Sequence, residues 1–385
     1  MPMNKEINLK NKIEKHLKGE LVSKIYYVSY LIIDVKIINH IKIKLKFNEG
    51  VSVKNFTKIK KDILSLISKL TLKPAEPKKN YLYKNIIKKF KNYKDLRKTL
   101  INNNEIFKEG EGIYSLGNKL TKLNNFFDRE LLKIANKYSA EEFSFPSLIS
   151  MDKLNKVGYF DNFPHSCCFV GHLKEEYDII NDFKIDHGSN INNKLNIKSS
   201  LSPTVCHHLY FNLEDKKLSK NFIATAKSDC FRYETKNMNS LERTWNFKMR
   251  EIIILGNQKY LSDMLKKIQK SIFKLLDKIN LSYVVESAND PFFEGNYNDL
   301  ISYQKAFKLK YEVRAYTPYN NSSIAIGSFN NSQNLFGKKL NIKLNNEFIY
   351  SACVGFGFER FAYCFVSQHG LNINNWPETV KNSMI

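Results

Sequence analysis

Arginine is scarce in this chain, and its distribution points to an anion-binding site. Only seven of the 61 basic residues are Arg, yet Arg232, Arg243 and Arg250 fall within nineteen residues of one another. The local sequence predicts two strands joined by a polar loop, because CFRY and IIILG are apolar and KNMNSLE is polar. Lysine cannot reproduce the planar fork with which a guanidinium binds carboxylate or phosphate. The hairpin therefore predicts an anion site for nucleotide phosphates, with an arginine-rich surface hairpin as the alternative.

Arg360 stands at a second place where phosphate binding is expected. It ends the sequence GFGFER and begins the apolar run RFAYCFV, which predicts a helix. The glycines allow close backbone packing, and the start of a helix favours a bound anion. GFGFER alone is a weak motif, but it repeats the indication given by the hairpin.

The composition sets the size and the charge of the molecule. The chain has 385 residues, a mass of 45.0 kDa and an apolar content of 43%. These values allow one large domain with a substantial core and one small domain. The net charge of +23 indicates either attraction to an acidic partner, RNA or an acidic carrier protein, or a lysine-rich codon bias. Charge alone does not separate these interpretations.

Neither export nor a membrane location is indicated by the sequence. The N-terminal stretch MPMNKEINLKNKIEKHLKGEL lacks an apolar core, and no apolar run approaches membrane-spanning length. Six cysteines in a chain of this length do not make a disulfide scaffold. We therefore expect a cytoplasmic protein with reduced thiols and no membrane partner.

Residues 1–73 predict a small α+β module of unknown role. We expect a charged helix over Asn4–Leu21, strands within IYYVSYLIIDVKII and HIKIKLKF, and an amphipathic helix from Phe56 to Leu70. The module shows no residues with evident chemistry. It also lacks the long heptads of a coiled-coil arm.

The remaining chain predicts a linker with a helix over 74–104 and a large domain over 105–385. Pro74–Lys79 is the linker, Tyr81–Asn104 is a lysine-rich helical stretch, and Lys174–Lys198 is a polar surface excursion. Apolar periodicity predicts helices over Asn118–Tyr138 and Lys259–Lys278. Strands are expected in SYVVESA, KYEVRAY and SSIAIGSF. Together they predict a mainly antiparallel sheet with helices on one side and the site on the other.

Several motifs resemble those of class II aminoacyl-tRNA synthetases. FRxE at Phe231–Glu234, followed by Arg243 and Phe247, is similar to motif 2, and the sequence ending at Arg360 is similar to motif 3. The resemblance is best to the atypical, zinc-containing seryl-tRNA synthetases and their truncated homologues, the amino acid:[carrier protein] ligases. It extends from roughly Asn104 to Val380. The ordered motifs are EGEGIYSLG, FSFPSLI, VGYFDNFP, PTVCHHLY, ANDPFFEG, KLKYE, GSFNNSQNLFG, ACVGFGFERFAYCF and HGLNINNWPETV.

The resemblance implies an α+β fold, an antiparallel sheet flanked by helices, and a homodimer. The helix over Asn118–Tyr138 and the segment containing Pro146 stand where class II enzymes have motif 1, which builds a dimer interface.

The resemblance also implies a zinc site formed by Cys206, Glu251 and Cys353. Two thiolates and a carboxylate are suitable zinc ligands, and three of them leave the fourth position open, as in catalytic sites. The spacings of 45 and 102 residues carry no weight as a pattern. His207 and His208 are competing ligands of lower rank.

By the same resemblance, the arginines and their neighbours bind ATP and the substrate amino acid. Arg232 would hold the amino-acid carboxylate and the α-phosphate, and Arg243 and Arg360 the outer phosphates. Phe247 would stack on adenine, and Glu234 would bind its amino group. Mg²⁺ would bridge the phosphates. Ala325 stands where relatives often carry a metal-binding Glu, so the candidate ligands here are Ser328 and Asn330.

The sequence therefore predicts an ATP-dependent ligase. It would activate a small amino acid, glycine or alanine, as the aminoacyl-adenylate and transfer it to the phosphopantetheine thiol of a carrier protein. The absence of a coiled-coil arm favours this function over the alternative, a zinc-dependent seryl-type synthetase acting on tRNA. A non-catalytic paralogue that binds a partner or a nucleotide is a third possibility, which the presence of Arg232, Glu234, Phe247 and Arg360 opposes.

Overall fold

The computed structural model describes residues 2–14, 17–71, 80–87, 89–90, 94–188, 190–234, 238, 240–288 and 309–384. Two compact units result, one containing Met1–Lys79 and the other containing Asn80–Glu234 with Asn239–Ile385. The predicted linker Pro74–Lys79 and residues 289–295 of the ANDPFFEG motif lie outside the described residues. The domain limits at 73 and 105 stay predictions. Among the described residues, no helix has the length and hydrophobicity that crossing a bilayer requires.

The N-terminal unit is a three-stranded antiparallel sheet covered by two helices. Its elements are β1 (Met3–Asn8), α1 (Lys18–Ile25), β2 (Ile32–Ile38), β3 (Lys42–Phe47) and α2 (Val53–Thr71), with strand order β1–β3–β2. Alternation along β3 buries Ile43, Leu45 and Phe47 against the helices. The predicted helix over Asn4–Leu21 is wrong at its start, because Ile7 pairs with Ile43 in the sheet and joins this core.

The larger unit contains the remaining elements. Its helices are α3 (Arg97–Asn102), α4 (Asn118–Lys137), α5 (Met151–Lys156), α6 (Tyr159–Asn162), α7 (Tyr177–Asp186), α8 (Cys206–Asn212), α9 (Gln258–Lys278), α10 (Leu335–Lys339), α11 (Phe358–His369) and α12 (Glu378–Lys381). Its strands are β4 (Tyr81–Asn85), β5 (Ile106–Gly110), β6 (Ile113–Leu116), β7 (Glu141–Phe143), β8 (Leu148–Ser150), β9 (Phe169–Leu173), β10 (Leu195–Leu201), β11 (Lys217–Leu218), β12 (Phe222–Phe231), β13 (Asn246–Gly256), β14 (Tyr283–Ser287), β15 (Lys310–Thr317), β16 (Ser322–Gln333), β17 (Lys343–Leu344), β18 (Glu347–Phe348) and β19 (Tyr350–Gly357).

An eight-stranded sheet in the order β4–β14–β15–β16–β19–β13–β12–β7 forms the centre of this unit. Its strand pairs are antiparallel except for the edge pair β12–β7. The long helices α4, α9 and α11 pack on one face, where Phe127 of α4 stacks on Phe361 of α11 at 3.7 Å between ring centroids. The predicted helices over Asn118–Tyr138 and Lys259–Lys278 and the mainly antiparallel sheet are confirmed.

Two stretches contain regular structure that the sequence did not indicate. The stretch Tyr81–Asn104 is not a continuous helix, because Tyr81–Asn85 adds an edge strand to the central sheet. The ring of Tyr83 stacks on Phe273 and its hydroxyl donates to Asp277, so tertiary contacts outweigh the local lysine content. The stretch Lys174–Lys198 lies at the surface as predicted, since no residue of α7 is buried. It also contains regular structure, namely α7 and the start of β10, the middle strand of a small sheet β8–β10–β9.

Candidate active site

Strand β13 directs its side chains alternately to the helices and to a cleft on the opposite face. Phe247 and Met249 line that cleft, and Glu251 lies on the same face of the strand. Glu251 is paired across the sheet with Gly355 of β19. A Cβ at Gly355 would approach Met249 Sδ to 3.1 Å and Glu251 Cγ to 3.2 Å. The glycine therefore leaves room for these side chains above the sheet.

Cys206, Glu251 and Cys353 converge beside this cleft. Cys206 begins α8, Glu251 lies on β13, and Cys353 lies on β19. One ligand atom from each residue lies within 4.8 Å of the other two, and all three residues are buried. The structure thus brings together residues that are 45 and 102 positions apart in the chain. We call these residues the triad.

Neighbouring groups hold the triad in place. The Thr204 hydroxyl donates to Glu251 Oε1 at 2.9 Å, and the backbone N–H of Cys206 donates to Oε2 at 3.1 Å. Asn330 Nδ2 donates to Cys353 Sγ at 3.6 Å and to the Ser328 hydroxyl at 2.9 Å. Both oxygens of Glu251 therefore have a donor, which fixes the orientation of the carboxylate.

The triad fits a zinc ion by donor type and by spacing. Bonds of about 2.3 Å to sulfur and about 2.1 Å to oxygen place tetrahedral donors roughly 3.5–3.8 Å apart, so donors within 4.8 Å need only small adjustments. A hydrogen bond with Cys353, burial and the charge of Glu251 raise the pKa of Cys206 well above its ordinary value. A divalent cation opposes this effect because it stabilises thiolates and neutralises the carboxylate. A buried group of two thiols and a carboxylate is thus suited to a cation.

Arg232 lies in the cleft, and its guanidinium group has no ion-pair partner among the described residues. Its Nε donates to the carbonyl of Pro203 at 2.8 Å, and its Cζ lies 5.4 Å from the centroid of the Phe247 ring. Among the described residues, no carboxylate lies within ion-pair distance of its guanidinium. The cleft is lined by Arg232, Glu234, Thr244, Phe247, Met249, Lys310, Glu312, Ala325, Ile326, Gly327, Ser328, Gly355, Gly357 and Arg360.

Glu234 is held between two of the arginines that the sequence assigned to phosphates. Arg360 Nη2 lies 3.1 Å and Arg243 Nε 3.2 Å from Glu234 Oε2. Burial raises the pKa of Glu234, but Arg360, Arg243 and Arg232 together outweigh burial and lower it. The carboxylate therefore stays ionised at neutral pH. The Glu234 carboxylate thus forms ion pairs with both arginines, as the phosphate of a bound ligand would.

Other predicted residues lie at different places. Arg250, the third arginine of the hairpin, is not part of the anion site, because it faces the helices and pairs with Asp128 at 2.5 Å. Ser328 lines the cleft, whereas Asn330 supports the triad.

The two histidines that the sequence offered as competing ligands lie outside the triad. The Nε2 of His208 lies 3.1 Å from the Ser202 hydroxyl. His207 packs among aromatic rings, and burial lowers its pKa to about 3. Neither histidine belongs to the triad.

Sequence reasoning missed two charged residues in the cleft, Lys310 and Glu312. Both lie on β15, where Glu312 is paired across the sheet with Ser328 and Lys310 with Asn330. Glu312 forms ion pairs with Arg314 at 2.9 Å and with Lys310 at 3.7 Å. The signal was present, since charged and apolar residues alternate in KYEVRAY. Only the strand order, however, places this strand at the cleft.

The fold is that of class II aminoacyl-tRNA synthetases. Residues 190–369 match the family described as tRNA synthetase class II core domain (G, H, P, S and T). Among solved structures, the chain is similar to M. kandleri SerRS in its complex with A. aeolicus tRNASec, with a TM-score of 0.73 and 18% identity over 99% of this chain and 77% of that one. It is also similar to the Pyrococcus horikoshii seryl-tRNA synthetase complexed with ATP, with a TM-score of 0.61 and 13% identity over 86% of this chain and 80% of that one.

The curated relatives of this chain include two kinds of ligase. The type-2 serine--tRNA ligase of Methanococcus aeolicus is 25% identical over 292 residues, which cover 71% of this chain and 56% of the relative. Amino acid--[acyl-carrier-protein] ligase 1 of Bradyrhizobium diazoefficiens is 28% identical over 251 residues, which cover 63% of this chain and 76% of the relative. The chain thus spans little more than half of the first relative and about three quarters of the second.

Proposed function

We propose that this protein activates a small amino acid with ATP and transfers the aminoacyl group to the phosphopantetheine thiol of a carrier protein. The observation that carries the proposal is the buried triad beside a cleft with an uncommitted arginine, Arg232. The similarity to amino acid--[acyl-carrier-protein] ligases, which extends over three quarters of their length, supports the carrier protein as acceptor.

Cys206, Glu251 and Cys353 would hold a zinc ion. Bound there, zinc would supply a Lewis-acidic position for the α-amino group of the substrate. Arg232 would bind the substrate carboxylate and the α-phosphate of ATP. Attack of the carboxylate oxygen on the α-phosphorus would form the adenylate and expel pyrophosphate, and the carrier-protein thiol would then attack the aminoacyl carbon and displace AMP. The first step brings two anions together, so the fixed guanidinium would lower its barrier by neutralising and aligning them.

The other cleft residues would place ATP. Phe247 offers its ring for stacking with adenine, and Arg360 and Arg243 offer guanidinium groups to the outer phosphates. These arginines would then exchange Glu234 for phosphate, which leaves the Glu234 carboxylate available to the adenine amino group. Magnesium bound with ATP would meet oxygen ligands from Ser328 and its cross-strand neighbour Glu312, while Asn330 supports Cys353.

The decisive experiment has two stages. ATP–pyrophosphate exchange with each amino acid tests activation, and we expect glycine or alanine to give the largest rate. Transfer from the radiolabelled amino acid to a phosphopantetheinylated carrier protein and to tRNA then compares the acceptors. Labelling of tRNA without labelling of carrier protein contradicts the proposal. Metal analysis of the purified protein is expected to find zinc, and a strong chelator is expected to abolish the exchange.

A synthetase that acts on tRNA is the second candidate, and two observations favour it. The similarity to the M. kandleri SerRS extends over 99% of the chain and thus includes residues of the N-terminal unit. The net charge of +23 suits a polyanion. Salt-sensitive binding of tRNA in a gel shift would support this function. Failure to consume ATP with any amino acid would instead favour a non-catalytic paralogue.

We also propose a homodimer built from α4 and the segment containing Pro146. The basis is the place of these segments in the resemblance. Sedimentation equilibrium is expected to give a mass of about twice 45.0 kDa. A mass that stays near that of one chain at micromolar concentration contradicts the dimer. A cytoplasmic location stays a prediction.

A further inference from the structure

Helix α7 is an excursion between two neighbouring strands. β9 ends at Leu173 and β10 begins at Leu195, and these two residues are paired across the antiparallel ladder. Two to five residues are enough to connect such strands, but residues 174–194 connect them here and contain α7. The connection therefore carries a helix that closing the hairpin does not require.

The side of α7 that faces solvent exposes large apolar side chains. None of the ten residues of α7 is buried, although Ile179 and Phe183 are partly covered. Tyr177 is 81% exposed and Ile185 is 78% exposed. The two are eight positions apart, slightly more than two turns, so they project from one side of the helix about 12 Å apart. A helix of this length is marginal in water unless an apolar face is covered.

Acidic side chains flank the two exposed apolar residues. Residues 174–186 contain five acidic and two basic residues, in a chain with 61 basic and 38 acidic residues. Asp178 and Asp182 are exposed and have no ion-pair partner in the described part of the chain. A lysine-rich codon bias does not account for this local reversal of charge. We call Tyr177, Asp178, Asp182 and Ile185 the outer face of α7.

The charge of the outer face restricts the partner that it can bind. RNA and an acidic carrier protein, the two acceptors considered above, are both anionic, so like charges oppose their approach to α7. Apolar side chains flanked by carboxylates instead fit a surface that is apolar with basic residues at its edge. The outer face is therefore separate from the binding of the acceptor.

We propose that the outer face of α7 docks on a basic surface of a second copy of this chain. A second copy has a net charge of +23 and thus offers the complementary sign. The excursion is also attached to the segment proposed for the dimer, because β8 begins two residues after Pro146 and pairs with β10. In a twofold dimer each α7 meets the basic surface of the other copy, which gives two equal contacts. The inference rests on the proposed homodimer but not on the substrate or the acceptor.

The size of the outer face suits one part of a larger interface. A stable interface covers about 800 Å² on each partner. One side of a ten-residue helix, roughly 15 Å long and 10 Å wide, offers much less. Docking of α7 therefore strengthens a dimer whose other contacts lie elsewhere, and loss of the outer face should weaken the dimer without abolishing it.

Photo-crosslinking tests which molecule covers the outer face. The full chain with Tyr177→p-benzoylphenylalanine is irradiated alone at micromolar concentration. We expect a product of twice the mass of one chain, in which the label is joined to a lysine-rich peptide of the second copy. Tyr30→p-benzoylphenylalanine is the matched control, because Tyr30 is 80% exposed in the N-terminal unit, and it should give no such product.

Sedimentation equilibrium measures what the apolar side chains contribute. Tyr177→Ser/Ile185→Ser removes both of them, and we expect the Kd of the dimer to rise about 10-fold. Tyr30→Ser/Val53→Ser is the matched control, since these side chains are 80% and 81% exposed, and it should leave the Kd unchanged. Both double variants should keep the Tm of the wild-type protein, because exposed side chains contribute little to folding.

The carboxylates are tested by reversing their charge. Asp178→Lys/Asp182→Lys should also raise the Kd of the dimer, by a factor that shrinks as salt is added. A factor that does not depend on salt contradicts docking on a basic surface.

The outcomes separate the inference from the proposed function. A dimer whose Kd is unchanged in Tyr177→Ser/Ile185→Ser and whose copies are not crosslinked through residue 177 overturns the inference and leaves the proposed dimer in place. Crosslinks that join α7 of one copy to α7 of the other overturn it as well. A wild-type protein that stays monomeric removes the proposed dimer and the inference together, without affecting the proposed ligase reaction.

Discussion

The two faces of the central sheet use arginine in opposite ways, although both arginines come from one hairpin. Arg250 lies on the helix side, is 4% exposed and pairs with Asp128 at 2.5 Å and Glu142 at 2.9 Å. Arg232 lies in the cleft, where its described partners are the carbonyl of Pro203 and the face of the Phe247 ring. The charge of Arg250 is compensated within the fold, whereas Arg232 forms no ion pair with a described carboxylate.

The difference between the two arginines predicts which substitutions of charged residues lower stability and which lower activity. Asp128 accepts from both Arg250 and Lys227, so removal of one partner leaves a charge in a place that water hardly reaches. In the cleft, a carbonyl and a ring hold Arg232 without neutralising it. Substitution on the helix side should therefore appear in stability, and substitution in the cleft should appear in catalysis.

Arg250→Met should have the largest effect and should act on stability. Loss of the guanidinium leaves Asp128 with Lys227 alone, and breaking a buried pair costs about 3–5 kcal/mol. Urea unfolding measures the loss. The double variant Arg250→Met/Asp128→Asn should recover part of it, because the buried carboxylate that lost its guanidinium partner is then neutral. A single variant as stable as the wild-type protein would show that the network is dispensable.

Arg232→Lys should act on catalysis and spare stability. Lysine keeps the charge but loses the bidentate fork, so we expect kcat/KM for pyrophosphate exchange to fall about 100- to 1000-fold, the effect of losing one aligned donor to a developing anion. The Tm should change little, because no described carboxylate depends on Arg232. Lys133→Met, in an exposed ion pair with Glu130, controls for the loss of a basic residue and should leave the exchange unchanged. Equal activity in Arg232→Lys would remove the proposed role.

Much of the fold was predictable because local patterns and tertiary structure agree. The periodicities of α4, α9 and β3 are strong, and each buries the side chains that its period predicts. The edge strand β4 was not predictable, since its lysine-rich neighbourhood resembles a solvated helix. Only its pairing with β14 and the contacts of Tyr83 make it a strand.

Site residues were predictable where the residue type itself indicates the chemistry, as for metal ligands. They were not predictable where the orientation of a side chain on the sheet decides whether it reaches the cleft. Two cysteines and a glutamate could be named from motif positions, and the fold brings them together. Arg250 and Arg232 seemed equivalent because the sequence does not show on which face of the central sheet each side chain lies. Lys310 and Glu312 were missed for a related reason, since strand order rather than sequence places β15 beside the cleft.

Glu234→Gln sharpens the comparison within the cleft, with an intermediate expected effect. A charge-assisted hydrogen bond contributes roughly 1.5–3 kcal/mol, so we expect kcat/KM for ATP to fall about 10- to 100-fold. If Glu234 binds the adenine amino group, a nucleotide that lacks this group should be affected much less. If it only holds Arg243 and Arg360, both nucleotides should lose equally. The ratio of the two kcat/KM values decides between these roles.

The smallest effect should be a pH dependence confined to the helix side. Burial raises the pKa of Asp128, but hydrogen bonds from Arg250 and Lys227 outweigh burial and lower it. A lowered pKa in the folded state gives stability that is present above the unfolded value of about 3.9 and is lost as the pH falls through the folded value. The stability gap between wild type and Arg250→Met should therefore be constant near neutral pH and should narrow below about pH 4.

Urea unfolding of both proteins across an acidic pH series measures this gap. Arg232→Lys is the matched control, because its effect on stability should be small at every pH. If the difference in unfolding free energy narrows at low pH for Arg250→Met but not for Arg232→Lys, the pH dependence comes from the helix side of the sheet. A gap that stays constant to low pH would mean that packing of the Arg250 side chain, rather than its charge, stabilises this face, and the contrast between the two arginines would then rest on catalysis alone.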